Sequence, residues 1–182
     1  MCKRACGALY STNSKAMKAL GIGALLLVSN LLNAQHMNTP NEAVIQLFIA
    51  TDQQNWQQVE RIFAPTVLLD YSSMSGNPAA SLSPTEITTA WKGILPGFKA
   101  THHQLGNLLE SVDGNRATVF CYGTATHYLP NNAGNVWTVV GSYNFELEQL
   151  NDRSWHITAM TFNFKYQDGN TALPEQAMNA LK

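Results

Sequence analysis

THHQLGNLLESVDGNRATVFCYGTATHYLPNNAGNVWTVVGSYNFELEQLNDRSWHITAMTFNF, from Thr101 to Phe164, is the stretch whose reading decides the fold. Three polar turn signals divide it. Asp113-Gly114-Asn115 separates Thr101–Ser111 from Arg116–His127 and supplies a glycine for the positive φ of a tight hairpin. Pro130 to Asn135 leads into Val136–Gln149, and Asn151-Asp152-Arg153-Ser154 precedes Trp155–Phe164. The segments between are rich in Val, Thr, Tyr, Phe and Trp, which suit a pleated, half-buried surface. The expectation is a strongly curved meander of four long antiparallel strands.

Alternation gives each strand two faces. Ala117, Val119, Cys121, Gly123, Ala125 and His127 share one, and Trp137, Val139, Gly141, Tyr143, Phe145 and Leu147 share the matching face of the next strand. On the first strand His103, Leu105, Asn107 and Leu109 fall together, opposite His102, Gln104 and Glu110. His103 is therefore expected among leucines and His102 near solvent. Glu146 and His156 fall on outward phases. Trp91, Trp137, Tyr143, Trp155, Phe162 and Phe164 are expected to line or close the interior.

Upstream, Thr39-Pro40-Asn41-Glu42 is a complete helix start, with threonine as N-cap, proline at the first position and a glutamate closing the box. Val44, Leu47, Phe48 and Thr51 continue one stripe, with Asp52 at its end. A second helix carries Trp56, Val59, Ile62 and Phe63. After Pro65, Thr66–Tyr71 alternates as a strand, so Asp70 and Tyr71 face opposite ways. Ser72 to Leu82 reads as a loop or lid. Ser83-Pro84-Thr85-Glu86 opens a third helix through Ile87, Trp91 and Ile94, which Pro96-Gly97 ends. Ala177, Met178 and Leu181 give the C-terminal tail, 171–182, the spacing of a short helix.

Met1 to Ala34 reads as a secretory signal peptide. Lys15 and Lys18 precede the apolar run Ala19–Val28, and Leu32-Asn33-Ala34 ends in a small residue suited to processing. Met17 is an alternative start. Export, to the periplasm or beyond, is the expectation, with a single domain over 35–170. Cys2 and Cys6 fall in the leader, so Cys121 alone would remain and no internal disulfide could form. No later apolar run is long enough for a spanning helix, which argues against stable membrane insertion. Eleven Lys and Arg stand against twelve Asp and Glu, without a basic stripe, so nucleic acid is not an expected partner. Cysteine and histidine lack zinc spacing, so no metal is expected. An outward sheet face of mixed threonine and tyrosine content points to a homodimer.

Several short patterns resemble one family. Asp52 with Asn55-Trp56, Phe63-Ala64-Pro65-Thr66 leading to Asp70-Tyr71, Thr101-His102-His103, His127, and Ser154-Trp155-His156-Ile157 together resemble the SnoaL-like and nuclear-transport-factor-2-like superfamily, and within it the scytalone dehydratases. The resemblance implies an α+β fold: a cone-shaped barrel of strongly curved antiparallel (mixed) sheet packed against three N-terminal helices. It further implies no cofactor and a catalytic set in which Asp52 orients His103, His127 lies at a departing hydroxyl, and Tyr71 helps to polarise a carbonyl. Thr51 stands where that pattern has a second tyrosine, and its asparagine on the third long strand has no counterpart in Trp137–Tyr143.

The residues themselves suit that chemistry. A carboxylate beside an imidazole fixes its tautomer and prepares it to take a proton from carbon. His127 could protonate a leaving hydroxyl or hold a carbonyl oxygen, and Tyr71 could donate to a developing oxyanion. Each also has a plain structural use: Asp52 as a helix cap, His103 and Tyr71 as satisfied core residues, His127 as a rim residue. The expected activity is a dehydratase-like lyase or isomerase acting on a small apolar oxygenated compound, a hydroxy-carbonyl. The alternative is a non-catalytic binding or assembly protein.

Overall fold

A computed structural model describes residues 37–182. The signal peptide expected over Met1 to Ala34, and its cleavage after Ala34, lie outside the described residues.

Both capping boxes form as the sequence predicts. Thr39 opens α1, Pro40–Asp52, and Ser83 opens α4, Pro84–Lys92; in each the cap side chain accepts from the backbone N–H three residues on, and the glutamate there returns to the cap backbone. Between them lie α2 (Trp56–Ile62), β1 (Phe63–Asp70), a single helical turn α3 (Ser72–Ser75) and β2 (Ala80–Leu82). A 3-10 turn, Leu95–Gly97, leads to the long strands β3 (Ala100–Asp113), β4 (Arg116–Tyr128), β5 (Val136–Gln149) and β6 (Trp155–Gly169), and α5 (Leu173–Asn179) follows.

The expected barrel does not form. The strand order is β2-β1-β6-β5-β4-β3, with β2 and β3 as unpaired edges, so the sheet is open, neither closed nor strongly curled. The meander β3 to β6 is antiparallel throughout, β1 joins β6 in parallel, and β2 adds antiparallel to β1. Closure would require β3, fourteen residues long, to meet β2, which has three. Too few backbone partners exist for that seam.

Helices α1, α2 and α4 pack against the sheet. Val44, Leu47, Val59, Ile62 and Ile87 meet Val119, Phe145, Leu147, Ile157 and Met160 in one fully buried core. Complete burial of each large apolar side chain contributes about 1.5–3 kcal/mol. The alternation read for β4 and β5 holds, with 117, 119, 121, 123, 125 and 127 all buried on β4.

On β3 the alternation fails halfway. Gly106 pairs with Tyr122 but Leu109 pairs with Phe120, so Asn107 and Leu108 together oppose Cys121, and Asn107 takes a positive φ of 54°. This bulge inverts the phase. Leu108 packs on the core, while Leu109, expected inside, is 68% exposed.

Residues 72–82, expected as a loop or lid, are pinned. The Ser73 hydroxyl donates to the Phe162 carbonyl at 2.6 Å and accepts from the Phe164 N–H at 2.9 Å, both on β6. At the other end of the chain α5 seats on the 3-10 turn, burying Leu173 and Ala177. Gly97 permits that seating, because a Cβ there would collide with the Ala177 carbonyl and lie 2.8 Å from its Cα. Gly97→Ala should therefore cost about 2 kcal/mol and loosen α5 selectively. Thermal unfolding together with amide exchange in 173–179 would measure both; unchanged exchange would refute the contact.

Candidate active site

Two residues one turn apart on α1, Phe48 and Asp52, present themselves to β3 on the same helix face. The Phe48 ring stacks on His103 at 5.2 Å between centroids. Asp52 collects three hydrogen bonds. Its Oδ1 accepts from the Thr101 hydroxyl at 2.8 Å and from His103 Nδ1 at 2.7 Å, while its Oδ2 accepts from the His103 backbone N–H at 2.7 Å. Burial taken alone pushes this carboxyl up, but the His103 ring, its backbone N–H and Thr101 outweigh it and hold Asp52 below the ordinary carboxylate value.

Asp52 does not cap α2. Asn55 does, accepting from the Gln58 N–H at 3.2 Å. Because an ionised carboxylate only accepts, His103 must carry a hydrogen on Nδ1, so the neutral form of the ring has its lone pair on Nε2. His103 lines a cavity, His102 is exposed on the opposite face, and Thr101, not singled out from the sequence, completes the carboxylate's shell.

His127 sits on β4, directly opposite Thr101 on one side and Trp137 on the other. It is 5% exposed, held between Phe98 and Trp137 with centroids at 4.8 and 4.5 Å, and edge-on to His103 at 5.9 Å. It is thus no rim residue. Burial lowers it to about 4, His103 reinforces the shift, and the Trp137 carbonyl and Asp52 oppose it only in part. At neutral pH the ring is uncharged. Its Nδ1 lies 3.4 Å from the Trp137 carbonyl oxygen, a long contact that only an Nδ1–H can make, leaving Nε2 as an acceptor.

A histidine held neutral in the fold ties stability to pH. Its contribution is fully present above the unfolded value of 6.5 and is lost as pH falls through about 4. Acidification across that window should cost the protein about 3 kcal/mol more than it costs the His127→Phe variant. Denaturant titrations of both proteins at a series of pH values would measure the difference, and parallel curves would contradict it.

Tyr71 follows β1 and opens α3, its ring tilted on Phe162 at 5.7 Å. Asp70 turns away, and its carboxylate accepts from the Ser72 N–H at 2.8 Å. Tyr143, on β5, is 5% exposed and packs on Phe48 at 5.0 Å and Phe162 at 4.8 Å. Burial raises both phenols, and for Tyr143 nearby Tyr71 and Cys121 add to it. The sequence placed Tyr143 only as interior wall. A signal was available, because Gly123 and Gly141, directly paired across strands, leave the floor bare on this face. A Cβ at Gly123 would strike the Tyr143 ring, and one at Gly141 would strike Phe162.

These side chains enclose a cavity of about 240 Å³, lined by Phe48, Thr51, Tyr71, Met74, Trp91, Ile94, Leu95, His103, Ala125, His127, Trp137, Val139, Tyr143 and Phe162. Trp155 and Phe164 stand elsewhere, the former in the core. No Lys, Arg, Asp or Glu lines the cavity; Asp52 acts on it from behind His103. Thr51 spends its hydroxyl hydrogen on the Leu47 carbonyl at 2.7 Å. Among the described residues no group of three or more His, Cys, Asp or Glu side chains could hold a metal ion, and no helix is long and apolar enough to cross a membrane.

The SnoaL-like domain matches residues 41–161. Among solved structures, a protein from Kribbella flavida is similar at 22% identity and TM-score 0.68, over 75% of this chain and 93% of its own. A Novosphingobium aromaticivorans protein provisionally described as a scytalone dehydratase is similar at 15% identity and TM-score 0.62, over 71% and 84%. Hexachlorocyclohexane dehydrochlorinase LinA-type3 from Novosphingobium barchaimii is similar at 12% identity and TM-score 0.58, over 72% and 90%. At these identities the likeness is one of fold. No curated protein matches the chain.

Proposed function

The chain belongs to the SnoaL-like domain family, and from that premise we propose that it is a cofactor-independent lyase that removes water from a small, uncharged β-hydroxy carbonyl compound. The observation that carries this reading is the Asp52–His103 pair, at 2.7 Å, behind an apolar cavity into which His103 faces. Two of the similar structures bear the names of eliminating enzymes, a dehydratase and a dehydrochlorinase.

The step follows from the tautomer. His103 Nε2 takes the proton from the carbon next to the carbonyl, and Asp52 stabilises the imidazolium that results. The electron pair of the broken C–H bond moves onto the carbonyl oxygen as an enolate, which accepts a hydrogen bond from Tyr71. The enolate then collapses to the conjugated double bond and breaks the C–O bond. The departing oxygen takes the proton from His103 Nε2 and leaves as water. One histidine serves as base and then as acid, so proton removal and departure occur on one side of the substrate. His127, neutral and offering a lone pair, accepts from the substrate hydroxyl and positions it; it has no proton to give at neutral pH.

The sequence resembles the scytalone dehydratases, but Thr51 stands where their pattern has a second tyrosine. The assignment therefore rests at the class of β-hydroxy ketones, cyclic ones included. The test uses 4-hydroxy-4-phenylbutan-2-one. Conversion to the enone, followed by ultraviolet absorbance, together with exchange of the C3 hydrogen in deuterated water, is the expected result. Neither enone nor exchange above background, across acyclic and cyclic members of the class, would retire the elimination.

A further inference from the structure

Tyr143 is the polar wall of the cavity to which the elimination gives no work. Gly123 leaves it a bare patch of backbone, while Phe48 and Phe162 flank it at 5.0 and 4.8 Å. Its ring is therefore held by packing rather than by its hydroxyl. Neither that hydroxyl nor the one on Tyr71 has a hydrogen-bond partner among the described residues, although both rings line the same cavity. Both hydroxyls open onto the cavity rather than being sealed in protein, and two free donors converging on one space mark the place of an acceptor.

The other polar groups are complementary. In the tautomers set by Asp52 and the Trp137 carbonyl, both histidines offer lone pairs to the cavity. Burial keeps both phenols protonated, hence donors. A ligand that satisfies this arrangement carries an oxygen acceptor on the tyrosine side and a hydroxyl hydrogen on the His127 side, and it is uncharged, because no cation lines the wall.

We propose that Tyr143, together with Tyr71, holds the carbonyl oxygen of the substrate, making Tyr143 a second catalytic hydrogen-bond donor, contributed by β5. The assignment rests on the hydroxy-carbonyl reading of the site but not on the elimination itself.

The experiment binds α-tetralone, an uncharged bicyclic ketone labelled with ¹³C at its carbonyl, to the full chain and follows the C=O stretch by infrared difference spectroscopy alongside the affinity. Wild-type protein should bind it with the stretch moved to lower frequency. Tyr143→Phe, which keeps the ring and its packing, should lose part of that shift and bind about fivefold more weakly. Gly123→Ala, which keeps the hydroxyl on the ring but pushes ring and hydroxyl out of position, should lose shift as well. Tyr122→Phe, which alters an exposed tyrosine on the opposite face of β4, should leave the shift unchanged. A Tyr143→Phe spectrum and affinity equal to wild type would overturn the proposal, as would failure of the wild type to bind the ketone at all. If the shift follows Tyr143 while no β-hydroxy ketone is turned over, the elimination fails and the two-tyrosine site stands.

Discussion

Asp52→Asn should lower kcat for dehydration of a β-hydroxy ketone by about 10⁴-fold while leaving the fold intact. An asparagine of the same shape has one acceptor oxygen and one amide donor. The His103 backbone N–H can only donate, so the oxygen belongs there, at the place of Oδ2. The amide nitrogen then faces Thr101 and the His103 ring. Thr101 can turn its hydroxyl to accept, but His103 Nδ1 can accept only by giving up its hydrogen, which moves to Nε2. The cavity would then meet an N–H where the base's lone pair had been. Nitrogen-15 spectra of the imidazole would report the exchanged tautomer directly, and an unchanged tautomer or an unchanged rate would refute the orienting role.

His103→Gln should cost about 10³-fold, the typical contribution of a positioned general base. Its second effect falls on Asp52. With the ring gone, the carboxylate keeps Thr101 and the backbone N–H but loses the largest influence opposing burial, so its pKa should rise. Carbon-13 titration of the Asp52 carboxyl would follow that rise. The two substitutions remove one device, so the double variant should be little worse than the poorer single one. Multiplicative losses would mean that Asp52 and His103 act separately.

Much of this site was legible in the sequence because strand phase is local. His127 on the buried face of β4, His103 inside and His102 outside follow from alternation alone, and both capping boxes fixed where α1 and α4 begin. Asp52 was located as the end of the α1 stripe, while its pairing with His103 came from the family resemblance rather than from periodicity. What was not legible depends on partners that periodicity does not encode. The bulge at Asn107 arises from pairing with β4, and it exchanged Leu109 for Leu108. The barrel failed because closure is a question of which edges meet, and the three-residue β2 looked like loop. Tyr143 was hidden by its ordinariness: an aromatic residue in phase with a core is usually core, and only the glycine facing it showed that its ring occupies space left by a missing side chain.

An open sheet leaves β3 as a long edge, and such an edge is a template on which a second chain can polymerise. Asn107 blunts it. The bulge interrupts the row of unpaired N–H and C=O groups partway along the strand and increases its local twist. The other edge, β2, offers three residues, too few to seed a ladder. The irregularity that spoils the alternation of β3 thus also makes that edge a poorer template for a second chain, a provision that a closed barrel would not have needed.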